Sequence, residues 1–169
     1  MTRDRIVSLV DLEAELDRLP EMRLGLVLAN GIFDLFHVGH VRYLEGAKAE
    51  GRHLLVAVNS DASARKIKGP GRPLLPLEER MEIVAALGCV DRVTWFEEMS
   101  VETVLTRMRP AVHAKGTDYT VETVPERAVA ERLGIRTVIV GDPKRHASTQ
   151  LMERIRRASD RGAEGSRSG

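Results

Sequence analysis

The sequence has one cysteine, Cys89, in 169 residues. A lone cysteine closes no internal disulfide and builds no cysteine-based zinc site, so a reducing, cytoplasmic setting is expected. Aromatic residues are scarce as well: three Phe, one Trp and two Tyr. Single-stranded nucleic acids are held by stacking bases on aromatic rings, and this chain has few to offer. No apolar run reaches the roughly 18 residues of a membrane span. Met1-Thr2-Arg3-Asp4 leads into no apolar signal-peptide segment. Net charge is nearly absent: 26 Lys and Arg against 25 Asp and Glu leave +1. That total excludes a strongly basic nucleic-acid binder and a polybasic membrane-surface protein, so neither nucleic acid nor membrane is an expected partner. A local basic cluster remains compatible with it.

What is present is a globular composition, 43% apolar and 30% charged, in a length that suits one domain. Ser8 to Leu19 predicts a helix with Ser8 as its N-cap, leucines at helical spacing and Pro20 as its stop. Leu24 to Ala29 and His53 to Val58 are short continuous apolar runs, the pattern of strands buried on both faces. Helices are expected at 38–50, 61–67, 77–87, 101–108, 124–133 and 149–157, with further strands at 92–96, 111–114 and 135–140. Pro125 is placed in the first turn of the helix starting at Val124. Strands alternating with helices give an α/β fold, a single doubly wound five-stranded parallel sheet. The expected division is a helical extension over 1–23, one domain over 24–157 and a polar, Gly/Ser-rich, disordered tail over 158–169.

Such sheets bind ligands outside the carboxyl ends of their strands. The unusual polar segments all follow strands: 30–40 the first, 59–61 the second, 115–119 the fourth, 141–149 the fifth. They should therefore share one rim, whereas Gly51-Arg52 and Leu133-Gly134 on the other side are plain turns.

Within the first segment, His37-Val38-Gly39-His40 places two histidines three apart at a helix start, so they face the same side. A helix N-terminus offers unpaired N–H groups and positive dipole, which suits an anion. Imidazoles there can donate to phosphate oxygens, with Gly39 letting a bulky group approach the backbone. Two surface histidines are the plainer alternative. A metal site lacks a third ligand nearby, so no protein metal site is assigned. Arg65-Lys66-Ile67-Lys68-Gly69-Pro70-Gly71-Arg72 carries four cations and no acid; it is either a solvated loop or a phosphate clamp, with Lys68 as point charge and Arg72 as bidentate donor. Arg80 has no acid three or four residues away, so it is either a solvated arginine or a contact to an acceptor phosphate. Lys115-Gly116-Thr117-Asp118-Tyr119 is either a polar turn or a ribose- or base-binding loop through Asp118, with Lys115 near phosphate. Ser148-Thr149 makes a good N-cap pair. His53 and His113 belong to strands and read as structural, and Trp95 and Phe96 as packing.

Gly31-Ile32-Phe33-Asp34-Leu35-Phe36-His37-Val38-Gly39-His40 resembles the G-x-F-D-x-x-H-x-G-H signature of the cytidylyltransferase-like nucleotidyltransferases. Within that family, Asn59-Ser60-Asp61-Ala62-Ser63, Lys68-Gly69-Pro70-Gly71-Arg72-Pro73, Arg80 and the Lys115 to Tyr119 segment resemble the heptose 1-phosphate adenylyltransferases. The likeness runs over about residues 24–156. It implies transfer of AMP from ATP to a sugar 1-phosphate, D-glycero-D-manno-heptose 1-phosphate, with release of pyrophosphate. Implied catalytic residues are His37, His40 and Lys68. Implied nucleotide contacts are Asn30, Gly31, Phe33, Asp34, Gly39, Lys115, Gly116, Asp118, Ser148 and Thr149. Implied acceptor contacts are Asn59, Asp61, Arg72 and Arg80. Mg2+ is implied by the triphosphate and would be held largely through phosphate oxygens and water. Asp34 would support loop geometry or the metal region. The family's Ser-Thr-Thr segment becomes Ser148-Thr149-Gln150 here, and the Arg-Thr-x-Gly-Ile sequence that precedes it in the glycerol- and choline-phosphate enzymes is absent, which argues against the cytidylyltransferases themselves. Lys144, Arg145 or His146 would take over the cationic role. A homodimer is expected from the resemblance alone. The alternatives are the same chemistry with another pair, such as CTP and glycerol 3-phosphate, or a non-catalytic nucleotide-binding protein.

Overall fold

The computed structural model describes residues 2–142. Its frame is a sheet of five parallel strands: β1 (Leu26–Gly31), β2 (His53–Asn59), β3 (Arg92–Phe96), β4 (Val112–Gly116) and β5 (Arg136–Val140). The spatial order is β3-β2-β1-β4-β5. The chain thus builds outward from β1 to β3, then returns to place β4 on the other side of β1. The switch in direction lies between β1 and β4, where a doubly wound sheet opens a crevice at its carboxyl edge.

The helices are α1 (Leu9–Arg18), α2 (Val38–Ala49), α3 (Asp61–Lys68), α4 (Leu77–Ala85), α5 (Glu102–Met108) and α6 (Arg127–Arg132). Successive strand residues point to opposite faces, and the apolar runs fill both. Val27, Ala29, Leu54, Val56 and Val58 pack with Tyr43 and Leu44 of α2 and Met81 and Val84 of α4. Leu26, Leu28, Leu55 and Ala57 pack with Leu12 and Leu16 of α1, Leu105 and Met108 of α5 and Val129 of α6. Each fully buried leucine contributes roughly 2 kcal/mol relative to leaving it in water. The side chain of Ser8 accepts from the backbone N–H of Asp11 and so caps α1. Because Leu12 and Leu16 enter the second core cluster, the leading helix is built into the same fold as the sheet.

The differences from the expected elements have local causes. β1 begins at Leu26 because Pro20–Gly25 winds into a 3-10 turn that leaves Leu24 82% exposed. α6 begins at Arg127, and Pro125 lies before the helix rather than in its first turn. Val124 precedes that proline and is extended, with φ −64° and ψ 121°; a residue before proline is pushed out of the helical region. The preceding Thr120 and Thr123 close a separate turn by capping each other. The expected last helix, the 158–169 tail, and Ser148, Thr149, Lys144, Arg145 and His146 lie outside the described residues.

Candidate functional site

Parallel pairing places the ends of β1, β2, β4 and β5 on one edge, so the polar segments 30–40, 59–61 and 115–119, with Gly141 and Asp142, leave the sheet at that edge. The β1–α2 connection occupies its centre. His37 is the N-cap of α2, and its Nδ1 accepts from the backbone N–H of Gly39 at 3.1 Å. His40 Nδ1 accepts from the backbone N–H of His37 at 3.3 Å. The two histidines thus form a reciprocal capping box, the role that Ser/Thr and Glu usually share. The rings stack with centroids 4.0 Å apart. In the neutral form an imidazole whose Nδ1 accepts must carry its proton on Nε2. The backbone therefore selects the same tautomer in both rings, with the proton on Nε2. His40 is further flanked by Phe33 at 5.3 Å and Phe36 at 5.2 Å. Burial, then the neighbouring His37 and Lys68, lower its pKa from 6.5 to about 4. His40 is therefore neutral at pH 7, and exposed Lys68 is close enough to act on it electrostatically.

Phe33 holds this aromatic wall in place at a backbone cost. Its φ is 53°, in the left-handed region, while its ring is buried. A Cβ on Gly31 would meet that ring at 3.1 Å, which explains glycine at the end of β1. Lys68 ends α3, and Gly69 follows with φ 91°, turning the chain into the basic loop.

Asp34 fixes that loop. One carboxylate oxygen accepts from the backbone N–H groups of Leu74 and Leu75 at 2.6 and 3.0 Å, and the other from Arg72 at 2.5 Å. Of its two expected roles, loop support is the one with contacts here, and Arg72 pairs with Asp34 through one terminal nitrogen while its side chain stays partly exposed.

Arg80 requires a correction. Neither a solvated arginine nor an open phosphate contact describes it, because the side chain is fully buried. Its Nε donates to the Leu75 carbonyl at 3.0 Å. One terminal nitrogen donates to the carbonyls of Ile32 at 2.6 Å and Asn59 at 2.9 Å, and the other pairs with Asp61 at 2.5 Å. The guanidinium is a strut joining the motif loop, the end of β2, the start of α3 and the approach to α4. The acid missing from its own helix comes from α3, beyond the reach of an i±4 search. Asn59 is also buried, with its amide donating to Ser63 at 2.9 Å.

Across the β1/β4 switch, the side-chain oxygen of Asn30 lies 3.1 Å from His113 Nε2 and 3.4 Å from Lys115 Nζ. Lys115 is buried and pairs with buried Glu126 at 3.4 Å, while the Tyr119 ring sits 4.8 Å from its ammonium. The Tyr43 hydroxyl accepts from the Asn30 N–H at 3.2 Å and donates to the Ala114 carbonyl at 2.9 Å, stitching α2 to both strands. Burial above all raises its pKa, so it stays a hydroxyl. Burial, then the Lys115 charge, lower the His113 pKa to about 4. Gly116 and exposed Asp118 begin the turn after β4, closed by Tyr119 N–H to the Gly116 carbonyl at 3.1 Å. Glu126 and Tyr43 escaped the sequence reading. The only signal for Tyr43 was its place three residues after His40 on α2; Glu126 had none, because it meets Lys115 only through the fold.

Among the described residues, no three His, Cys, Asp or Glu side chains converge on a point that could hold a metal. Asp34, the acid of the motif, already spends both oxygens on the loop.

The switch point, the helix start aimed at it and the paired histidines define an α/β domain for handling nucleotide phosphates. The model of the family described as "Cytidylyltransferase-like" matches residues 28–159. The chain belongs to that family. It is 44% identical over 133 residues to the bifunctional protein HldE of Geobacter sulfurreducens, covering 79% of this chain and 27% of that one. It is 42% identical over 132 residues to the bifunctional protein HldE of Pseudomonas fluorescens, covering 78% and 28%. The chain therefore spans less than a third of the length of these relatives. Among solved structures, the lipopolysaccharide core biosynthesis protein of Thermoplasma volcanium superposes with a TM-score of 0.60 at 24% identity, over 70% of this chain and 98% of that one. Pantothenate synthetase of Thermus thermophilus superposes with a TM-score of 0.57 at 20% identity, over 82% and 61%. These two likenesses establish the fold. No helix of the described residues is long and apolar enough to cross a membrane.

Proposed function

We propose that this chain transfers AMP from ATP to D-glycero-D-manno-heptose 1-phosphate, giving ADP-heptose and pyrophosphate, in the cytoplasm and as a homodimer. The observation that carries the reading is the pair of histidines whose Nδ1 atoms are both taken by backbone N–H groups. Two Nε2–H donors at a helix start, beside Lys68, suit a polyanion and charge developing on a departing pyrophosphate. The segments around Asn59–Ser63, Lys68–Arg72 and Lys115–Tyr119 resemble the heptose 1-phosphate enzymes and favour that acceptor.

In this mechanism an oxygen of the acceptor phosphate attacks the α-phosphorus of ATP. A new P–O bond forms in line as the bond from the α-phosphorus to the bridging oxygen breaks, and pyrophosphate leaves with the electron pair. The acceptor phosphate is mostly ionised at neutral pH, its second pKa being about 6, so no general base is needed. Neutral His40 donates a hydrogen bond without giving up its proton. Lys68 adds a full charge. One well-placed donor of this kind accounts for roughly 10²–10³ in rate.

The test is a pyrophosphate-release screen of ATP, CTP, GTP and UTP against heptose 1-phosphate and glycerol 3-phosphate. ATP with heptose 1-phosphate should be the fastest pair. A preference for CTP with glycerol 3-phosphate would overturn the substrates. ATP binding with no turnover on either acceptor would leave a non-catalytic nucleotide-binding protein. Sedimentation equilibrium decides the homodimer.

A further inference from the structure

Buried Lys115, on β4 at the β1/β4 switch, pairs with buried Glu126, and the phosphate chemistry above uses neither. Their geometry has a consequence for Asn30. An ammonium group has only donors, so the atom of the Asn30 carboxamide facing Lys115 must be its oxygen. That oxygen also faces His113 Nε2 at 3.1 Å, so Nε2 must be the protonated ring nitrogen. The other tautomer would need the amide turned over, with its NH2 against the ammonium. The choice leaves His113 Nδ1 buried without a hydrogen-bond partner among the described residues. An orphaned buried acceptor is costly, and the arrangement stands because Lys115 dictates the amide. Lys115 is in turn held by Glu126, with both side chains at least nine-tenths buried. With its oxygen committed on the β4 side, the Asn30 carboxamide turns its two N–H donors away from His113 and Lys115.

We propose that Glu126 is a positioning residue: through Lys115 it sets the orientation of the Asn30 carboxamide, so that the amide N–H groups are presented to an acceptor atom of the nucleotide bound at the β1/β4 edge. The nucleotide part rests on the function proposed above; the orientation part does not. Glu126 touches no reacting atom. It keeps an ammonium in a buried place where an ammonium alone would be expelled, and the ammonium chooses which end of one amide faces the ligand. Lys115 would then act on the ligand through Asn30, rather than as a direct phosphate contact.

Two measurements test this. The first is nucleotide binding by isothermal titration with a non-hydrolysable ATP analogue, comparing the wild type with Glu126→Gln, Asn30→Ala and the double variant. Glu126→Gln should weaken binding about tenfold, the scale of one lost oriented hydrogen bond. KM for ATP should rise with it, with kcat changed much less. The double variant should bind like Asn30→Ala alone, because Glu126 acts only through that amide. Additive losses would overturn the proposal, as would a Glu126→Gln variant that binds normally. Should Glu126→Gln fail to fold, the paired variant Lys115→Met/Glu126→Gln removes both charges and leaves neither one orphaned. It is read in the same cycle.

The second measurement needs no nucleotide. The 15N shifts of the His113 ring should show the Nε2–H tautomer in the wild type and a mixture in Glu126→Gln. An unchanged pure tautomer in a folded Glu126→Gln protein would refute the orientation device. If the wild type binds no nucleotide, the proposed function fails and the nucleotide half of this proposal fails with it, while the tautomer measurement still decides the orientation half.

Discussion

Replacing Arg80 with Met separates two roles that a sequence cannot. An arginine that contacts substrate leaves stability almost unchanged when removed and weakens turnover. A buried strut does the reverse first. Arg80 makes four hydrogen bonds, to three carbonyls and to Asp61, and is fully buried. Methionine fills much of the same volume but offers no donor. The Leu75, Ile32 and Asn59 carbonyls would lose a partner, at about 1–3 kcal/mol for each that stays dry. Asp61 keeps access to water, its side chain being 39% exposed, so its loss is smaller. Relaxation and water entry reduce the sum, and breaking a buried charged contact typically costs about 3–5 kcal/mol. Arg80→Met should therefore lower unfolding free energy by about 3–5 kcal/mol, a large share of the roughly 5–15 kcal/mol available to a domain. Arg80→Lys should recover only part, since an ammonium cannot reproduce the planar fork. Urea unfolding followed by circular dichroism reads both. A loss below about 1 kcal/mol for Arg80→Met, the range of an exposed arginine, would refute the strut.

Further outcomes follow from the same geometry. His40→Ala should stay folded, losing about 1 kcal/mol with its cap, while pyrophosphate release falls about 10²–10³-fold; near-normal turnover in a folded variant would remove His40 from the chemistry. Stability should fall as the solution is acidified, because His40 and His113 have folded pKa values of about 4 against an ordinary 6.5. Between those values the unfolded chain binds more protons, so stability is complete above pH 6.5 and decreases down to about pH 4. The decrease approaches about 3 kcal/mol per histidine. Urea midpoints at pH 7 and pH 4.5 check it, and His113→Gln should flatten the dependence. Asp34→Asn should leave the first core cluster intact but loosen residues 72–75, seen as faster amide exchange at Leu74 and Leu75; unchanged exchange there would show that Asp34 does not hold the loop. Gly31→Ala should cost about 1–3 kcal/mol, because the new methyl group meets the Phe33 ring that backs His40; a loss within about 0.5 kcal/mol would contradict it.

The sheet was readable because its strands are apolar on both faces. Leu24–Ala29 and His53–Val58 have the continuous run of a strand sandwiched between helices, and the polar segments that follow them announced the carboxyl edge. Helix starts were readable where a side chain caps them, as at Ser8. The start of α6 was not, because the signal at Val124–Pro125 depends on a turn that Thr120 and Thr123 close between themselves. For the site, residue types were legible and partners were not. The sequence placed the histidines three apart on one helix, but not that each Nδ1 would be consumed by a backbone N–H. It offered Lys115 as a turn residue or a neighbour of phosphate and Arg80 as solvated or facing an acceptor phosphate, with no partner for either, because Glu126 and Asp61 reach them only after the chain folds. Long-range pairing decides which charges face a ligand and which hold the frame, and local spacing carries no record of it.

The most direct measurement incubates the chain with ATP labelled at the α-phosphorus, heptose 1-phosphate and magnesium, and separates the products. Label should pass into ADP-heptose with an equal amount of pyrophosphate, and both should nearly vanish in His40→Ala. Label that stays in ATP, or appears as free AMP without sugar nucleotide, would contradict nucleotidyl transfer to this acceptor.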